Sequence, residues 1–90
     1  MSPYTVKFAK SAKKEFNKLP NKIQDRIVEA LKLLSVNPFS ELLKIKKLKG
    51  PAELYRIRIG DYRLVYEVQN NELIVQVVKI GHRREVYRKR

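Results

Sequence analysis

Tyr55-Arg56-Ile57-Arg58-Ile59-Gly60-Asp61-Tyr62-Arg63-Leu64-Val65-Tyr66 decides how this chain folds. Two runs of alternating character flank Gly60-Asp61, the pattern of a β-hairpin with a two-residue loop. Glycine in the first loop position suits a type II′ turn, and the turn fixes the register. Ile59 then faces Tyr62, Ile57 faces Leu64 and Tyr55 faces Tyr66, so one side of the hairpin is wholly apolar or aromatic. On the other side Arg58 is directly opposite Arg63, with Arg56 two residues along. Like charges opposed across a sheet destabilise it. An anion outside the chain resolves the repulsion, and phosphate matches the guanidinium fork best. A solvated basic face is the plainer alternative.

The elements around the hairpin complete a domain. Tyr4-Thr5-Val6-Lys7-Phe8 reads as a short strand. Phe8, Ala12, Phe16 and Leu19 then draw one apolar stripe at helical spacing, and Ile23, Ile27, Leu31 and Leu34 draw a second. Pro20-Asn21 ends the first helix and opens the next, while Asn37-Pro38 ends the second. The pair forms an αα-hairpin with a very short connection. Residues 39 to 52 mix Leu42, Leu43, Ile45 and Leu48 with Lys44, Lys46, Lys47 and Lys49. They read as a basic loop whose apolar residues dock on the domain.

The hairpin strands run from about residue 54 to 59 and from 62 to 68. Asn70-Asn71 supplies a second two-residue turn, which sets Val68, Tyr66 and Leu64 against Leu73, Val75 and Val77. The near-continuous apolar run Leu73 to Ile80 marks a strand covered on both faces. The fold class is α+β in the order β-α-α-β-β-β. A mainly antiparallel four-stranded sheet carries the αα-hairpin on one face and the arginines on a concave other face. Residues 1 to 90 form a single domain. The tail Gly81-His82-Arg83-Arg84-Glu85-Val86-Tyr87-Arg88-Lys89-Arg90 can return to the arginine face.

Charge narrows the partners. Lys and Arg number 21 against 9 Asp and Glu, a net +12 with pI about 10.2. A balance that basic speaks of polyanions rather than of fold. With no cysteine, a disulfide framework and a thiolate metal site are both excluded, and a cytoplasmic location fits. The apolar stretches are strand-sized, too short for a membrane-spanning helix, and the basic residues follow no amphipathic helix that would lie on a membrane. A nucleophile elbow, a Gly-rich phosphate loop and an HExxH motif are all missing, and the carboxylates are scattered. These absences argue against metal hydrolysis and against a two-carboxylate mechanism, and no cofactor is implied.

Arginines with tyrosines nearby can hold a polyanion or stabilise a phosphoryl-transfer transition state. RNA carries its own nucleophile, the 2′-hydroxyl beside the scissile phosphate. A protein then has only to align it, move protons and absorb charge. Arginine serves the charge and is a poor base. His82 has a suitable intrinsic pKa, and Tyr87 can stack on a base or deliver a proton.

The element order, Leu48-Lys49-Gly50, the Tyr55–Tyr66 hairpin and the Gly81–Tyr87 tail together resemble the RelE branch of the RelE/ParE toxin superfamily across nearly the whole chain. The resemblance implies the toxin of a type II toxin–antitoxin system. Such a toxin is a ribosome-dependent mRNA endonuclease that cuts the A-site codon by metal-free attack of the mRNA 2′-hydroxyl. It implies as partners the ribosomal A site with its rRNA, the mRNA, and a cognate RelB-like antitoxin that wraps the toxin. The toxin is expected to be monomeric alone and hetero-oligomeric with its antitoxin. Arg56 and Arg58 fall where RelE toxins carry basic residues beside the scissile phosphate. Arg63 falls at the transition-state arginine, Arg83 at the residue that protonates the leaving group, and Tyr87 at the stacking tyrosine. Lys47, Lys49, His82 and Arg84 are expected as further RNA contacts. The well-known form of the family has lysine where Arg56 stands, which leaves the base to Arg56, to His82 or to the ribosome. A ParE-like poison of gyrase and a non-catalytic RNA-binding module stay open beside this reading.

Overall fold

The computed structural model describes residues 3–50 and 52–82. Arg83, Arg84 and Tyr87 lie outside the described residues. Among the described residues seven elements follow in chain order: β1 (Thr5–Phe8), α1 (Lys10–Asn17), α2 (Asn21–Val36), β2 (Lys46–Lys47), β3 (Leu54–Ile59), β4 (Tyr62–Gln69) and β5 (Ile74–His82). They form one sheet of five strands in the order β1-β5-β4-β3-β2. Only β1 runs parallel to its neighbour, β5; the other pairings are antiparallel.

The central hairpin has the expected register. Ile59 pairs with Tyr62, Arg58 with Arg63, Ile57 with Leu64 and Tyr55 with Tyr66. Gly60 takes φ +59°, and Leu73 is the one non-glycine residue of positive φ among the described residues. The loop therefore has the sign combination of a type II′ turn.

The two helices lie where their apolar stripes place them. Ala12 on α1, and Ile27, Ala30, Leu31 and Leu34 on α2, join Ile57, Leu64, Tyr66, Val68, Val75, Val77 and Ile80 in a single core. Pro20 is the residue immediately before α2, and Asn37 closes that helix ahead of Pro38. Phe8 belongs to β1 rather than to the first helix, and its ring meets that of Phe16 at 5.4 Å between centroids.

Three features depart from the sequence expectation. The first is the fifth strand: Lys46 and Lys47 pair antiparallel with Arg56 and Tyr55 at the sheet edge. The expected four-stranded sheet thus gains a two-residue edge strand within the expected loop. Leu43 and Ile45 do pack against the core as expected, whereas Leu42 stands 79% exposed. The second is the turn after β4. Gln69 pairs with Ile74, so four residues, Asn70 to Leu73, make the connection, with Leu73 at φ +54°. Val68 consequently faces Val75, and Tyr66 faces Val77. This slides the expected register by two residues and keeps every side chain on its face.

The third is a β-bulge. Tyr66 pairs with Val77 but Val65 pairs with Lys79, which leaves Val78 as an extra residue on β5. Beyond it the alternation of β5 reverses: Ile80 enters the core, and Lys79 and Gly81 pair with Val65 and Arg63 on the opposite face. The bulge accounts for the near-continuous apolar run, which need not mean burial on both faces. Lys79 in that run is exposed.

Candidate functional site

Directly opposed residues in neighbouring strands project from the same side of a sheet. The pairings therefore define rungs on the face away from the helices. One rung is Lys46–Arg56–Val65–Lys79, contributed by β2, β3, β4 and β5. The next is Arg58–Arg63–Gly81. Behind them comes a polar rung with Leu54, Glu67, Gln76 and Lys7, where Gln69 donates to the carboxylate of Glu67 at 3.2 Å.

Burial is graded across this face. Arg63 is only 6% exposed, and its Nε and Nη1 are shut off from bulk solvent. Its opposite number on β5 is Gly81, which has no side chain. Arg56 is half-buried and Arg58 exposed. The Nε of Arg58 donates to the Gly60 carbonyl at 3.3 Å, which ties that side chain to the hairpin end. Lys44, Ile45, Lys46, Arg56, Arg58 and Arg63 line a groove of about 380 Å³. A charge held in a partly dewatered groove acts more strongly on an incoming anion than the same charge in water. Among the described residues no three His, Asp or Glu side chains come together as a metal site.

The expected site residues divide. Arg56, Arg58 and Arg63 converge on the groove. Lys47 does not, because alternation turns it to the helix side. There its Nζ lies 3.5 Å from the Glu53 carboxylate and over the Tyr55 ring. The Tyr55 hydroxyl donates to the same carboxylate at 2.8 Å. That hydrogen bond, with the charge of Lys47 second, holds the Glu53 carboxyl below the usual range. Lys49 is exposed in the loop after β2. His82 pairs with Tyr62, and the two rings meet edge-on at 5.7 Å, so the bulge has taken the imidazole away from the arginine side.

Lys44, Lys46 and Lys79 are basic residues of this face that sequence reasoning missed. Lys46 would follow from pairing its dipeptide with β3, since alternation then sends Lys46 to the arginines and Lys47 away. Lys79 depends on the bulge, which has no signature in this sequence.

The helix side steadies the hairpin that carries the arginines. Tyr66 is fully buried, and its hydroxyl donates to the Pro38 carbonyl at 2.8 Å. Tyr55 stacks on Tyr66 at 5.7 Å, and Phe39 meets Tyr55 edge-on at 5.3 Å. Burial first, and Tyr55 second, push the Tyr66 hydroxyl well above the ordinary tyrosine range.

A small α+β domain with a basic sheet face defines the class, and comparison with known proteins makes it definite. The chain belongs to the family of ParE toxins of type II toxin–antitoxin systems, whose model matches residues 6–87. Within that class it is a RelE-like toxin. It is 38% identical over 82 residues to a RelE-like toxin protein of Escherichia coli, covering 89% of this chain and 83% of that one. It is 31% identical over 88 residues to the mRNA interferase toxin RelE of Escherichia coli, covering 93% and 90%. A chain in the crystal structure of the archaeal RelE–RelB complex from Pyrococcus horikoshii superposes with a TM-score of 0.81 at 32% identity, over 90% of this chain and 96% of its own. No helix among the described residues is long and apolar enough to cross a membrane.

Proposed function

We propose that this toxin is an endoribonuclease that cuts mRNA in the ribosomal A site. The observation that carries the reading is Arg63, a nearly buried guanidinium facing Arg58 in a groove that Lys44, Lys46 and Arg56 also line. The name of the Escherichia coli mRNA interferase supports it.

In the proposed step the 2′-oxygen of the A-site nucleotide attacks the adjacent phosphorus. The bond to the 5′-oxygen breaks, leaving a cyclic phosphate on one fragment and a 5′-hydroxyl on the other. Arg56 and Arg58 hold the phosphate. Arg63 meets the negative charge that grows on its oxygens, a role for which a fixed, water-excluded donor is most effective. No metal enters, because the arginines absorb the charge. The arginines stay protonated, and the ring of His82 turns toward Tyr62. The proton of the 2′-hydroxyl therefore passes to a group of the ribosome–mRNA complex. Arg83 donates a hydrogen bond to the leaving 5′-oxygen, which takes its proton from solvent, and Tyr87 stacks on a base of the codon. Ribosome dependence fits this division of labour: the face supplies charge, and the A site supplies alignment. A RelB-like antitoxin, the partner in the archaeal complex, covers the basic face when the toxin is held inactive.

Primer extension on an mRNA translated in vitro tests the reading, alongside the same mRNA without ribosomes. New 3′ ends within A-site codons, seen only with ribosomes, support it. Intact mRNA in both samples, with loss of supercoiling by gyrase, would instead place the chain with gyrase-poisoning ParE toxins.

A further inference from the structure

The rung Lys46–Arg56–Val65–Lys79 crosses the sheet at right angles to its strands. Its two ends are lysines from β2 and β5, the edge strand and a strand near the middle. Neighbouring strands lie about 4.8 Å apart, so three steps separate the lysine backbones by roughly 14 Å. That span exceeds one phosphate and suits a few nucleotides of an extended strand. Both lysines are exposed, and neither makes an ion pair among the described residues. Lys47, next to Lys46, is held by Glu53 on the other side of the sheet. The bulge at Val78 is what brings Lys79 to this face, opposite Val65.

We infer that Lys46 and Lys79 are positioning residues that grip RNA phosphates on either side of the arginine cluster, so that a single strand lies across the strands of the sheet. The inference rests on the proposed RNA substrate. It adds two contacts and a direction for the strand. The lysines act on the flanking backbone and leave the reacting phosphate to Arg56, Arg58 and Arg63. Lysine suits this task, being a flexible point charge that follows a backbone without demanding one geometry.

Binding of a short single-stranded 2′-O-methyl RNA to the purified toxin tests this without cleavage and without ribosomes. For single strands the slope of log K against log salt is about −0.7 per neutralised phosphate. Lys46→Gln and Lys79→Gln should each make the slope shallower by about 0.7, and the double variant by about 1.4. Lys47→Gln, on the other face, should leave it unchanged. Melting temperatures show that the variants remain folded. Slopes unchanged in Lys46→Gln and Lys79→Gln, with a shallower slope in Arg56→Gln, would overturn the inference while leaving the cleavage reading intact. Unchanged RNA slopes with weakened antitoxin binding would also overturn it, by assigning the lysines to a protein partner. Shallower slopes in a toxin that fails to cut mRNA on ribosomes would uphold the RNA path and remove the cleavage reading alone.

Discussion

Arg58 and Arg63 are opposed across the β3–β4 hairpin, one exposed and the other 6% exposed. Two like charges at one sheet position cost stability, and the cost rises where water is excluded. The proposed phosphate contact falls at this point.

The two arginines should differ in their effect on activity. Arg63→Ala removes the enclosed donor and should lower mRNA cleavage on ribosomes by about 100-fold or more. Arg58→Ala removes an exposed one and should cost less. Single-turnover cleavage rates for the two variants, each checked by circular dichroism, decide the order. Equal losses would contradict this division of roles between the two arginines.

Tyr66 couples stability to alkaline pH. Its folded-state pKa is raised by burial, so the unfolded chain, with tyrosine near its ordinary value of about 10, releases the proton first. The contribution of this group is fully present below pH ~10 and is lost as pH rises beyond it. Tyr66→Phe should remove this group's share of the alkaline loss. The same change strands the Pro38 carbonyl that now accepts the hydroxyl, at about 1–2 kcal/mol near neutral pH. Urea melts at pH 7 and pH 10.5 measure both effects.

Much of the fold was legible in the sequence for identifiable reasons. Gly60-Asp61 fixes the turn, alternation fixes the faces, and two apolar stripes at helical spacing fix α1 and α2. Arg56, Arg58 and Arg63 were legible for the same reason, since the register alone gathers them. The edge strand was hidden because Lys46-Lys47 carries no strand pattern. It exists because β3 offers an unpaired edge, and lysines are common on such edges. The bulge was hidden because Ile74 to Ile80 is apolar in nearly every position, so period two cannot locate an extra residue. That one residue exchanges the faces of Lys79 and His82. It thereby removes the histidine from the arginine side and adds a lysine to it.

Gly60 should resist substitution. Its φ of +59° is strained for any residue with a side chain, and a Cβ there would come 3.2 Å from Nη1 of Arg26. The arginine tip can yield, so backbone strain dominates, and Gly60→Ala should cost about 1–3 kcal/mol. A smaller loss of melting temperature than Asp61→Ala gives would contradict the turn assignment.

An acidic partner should stabilise the chain. Net charge of +12 opposes compaction, and any ligand of the folded state raises stability by mass action, about 2.7 kcal/mol at 100 times Kd. The purified antitoxin should raise the melting temperature by several degrees. An unchanged melting curve at saturation would contradict the proposed pairing.

The most direct measurement uses ribosomes stalled with two matched mRNAs, one carrying ribose throughout and one with a single 2′-deoxynucleotide at the A-site cleavage position. The ribose mRNA should be cut within the A-site codon, and the 2′-deoxy mRNA should stay intact on the same ribosomes. An uncut ribose mRNA, or cleavage of both at equal rates, would contradict the account.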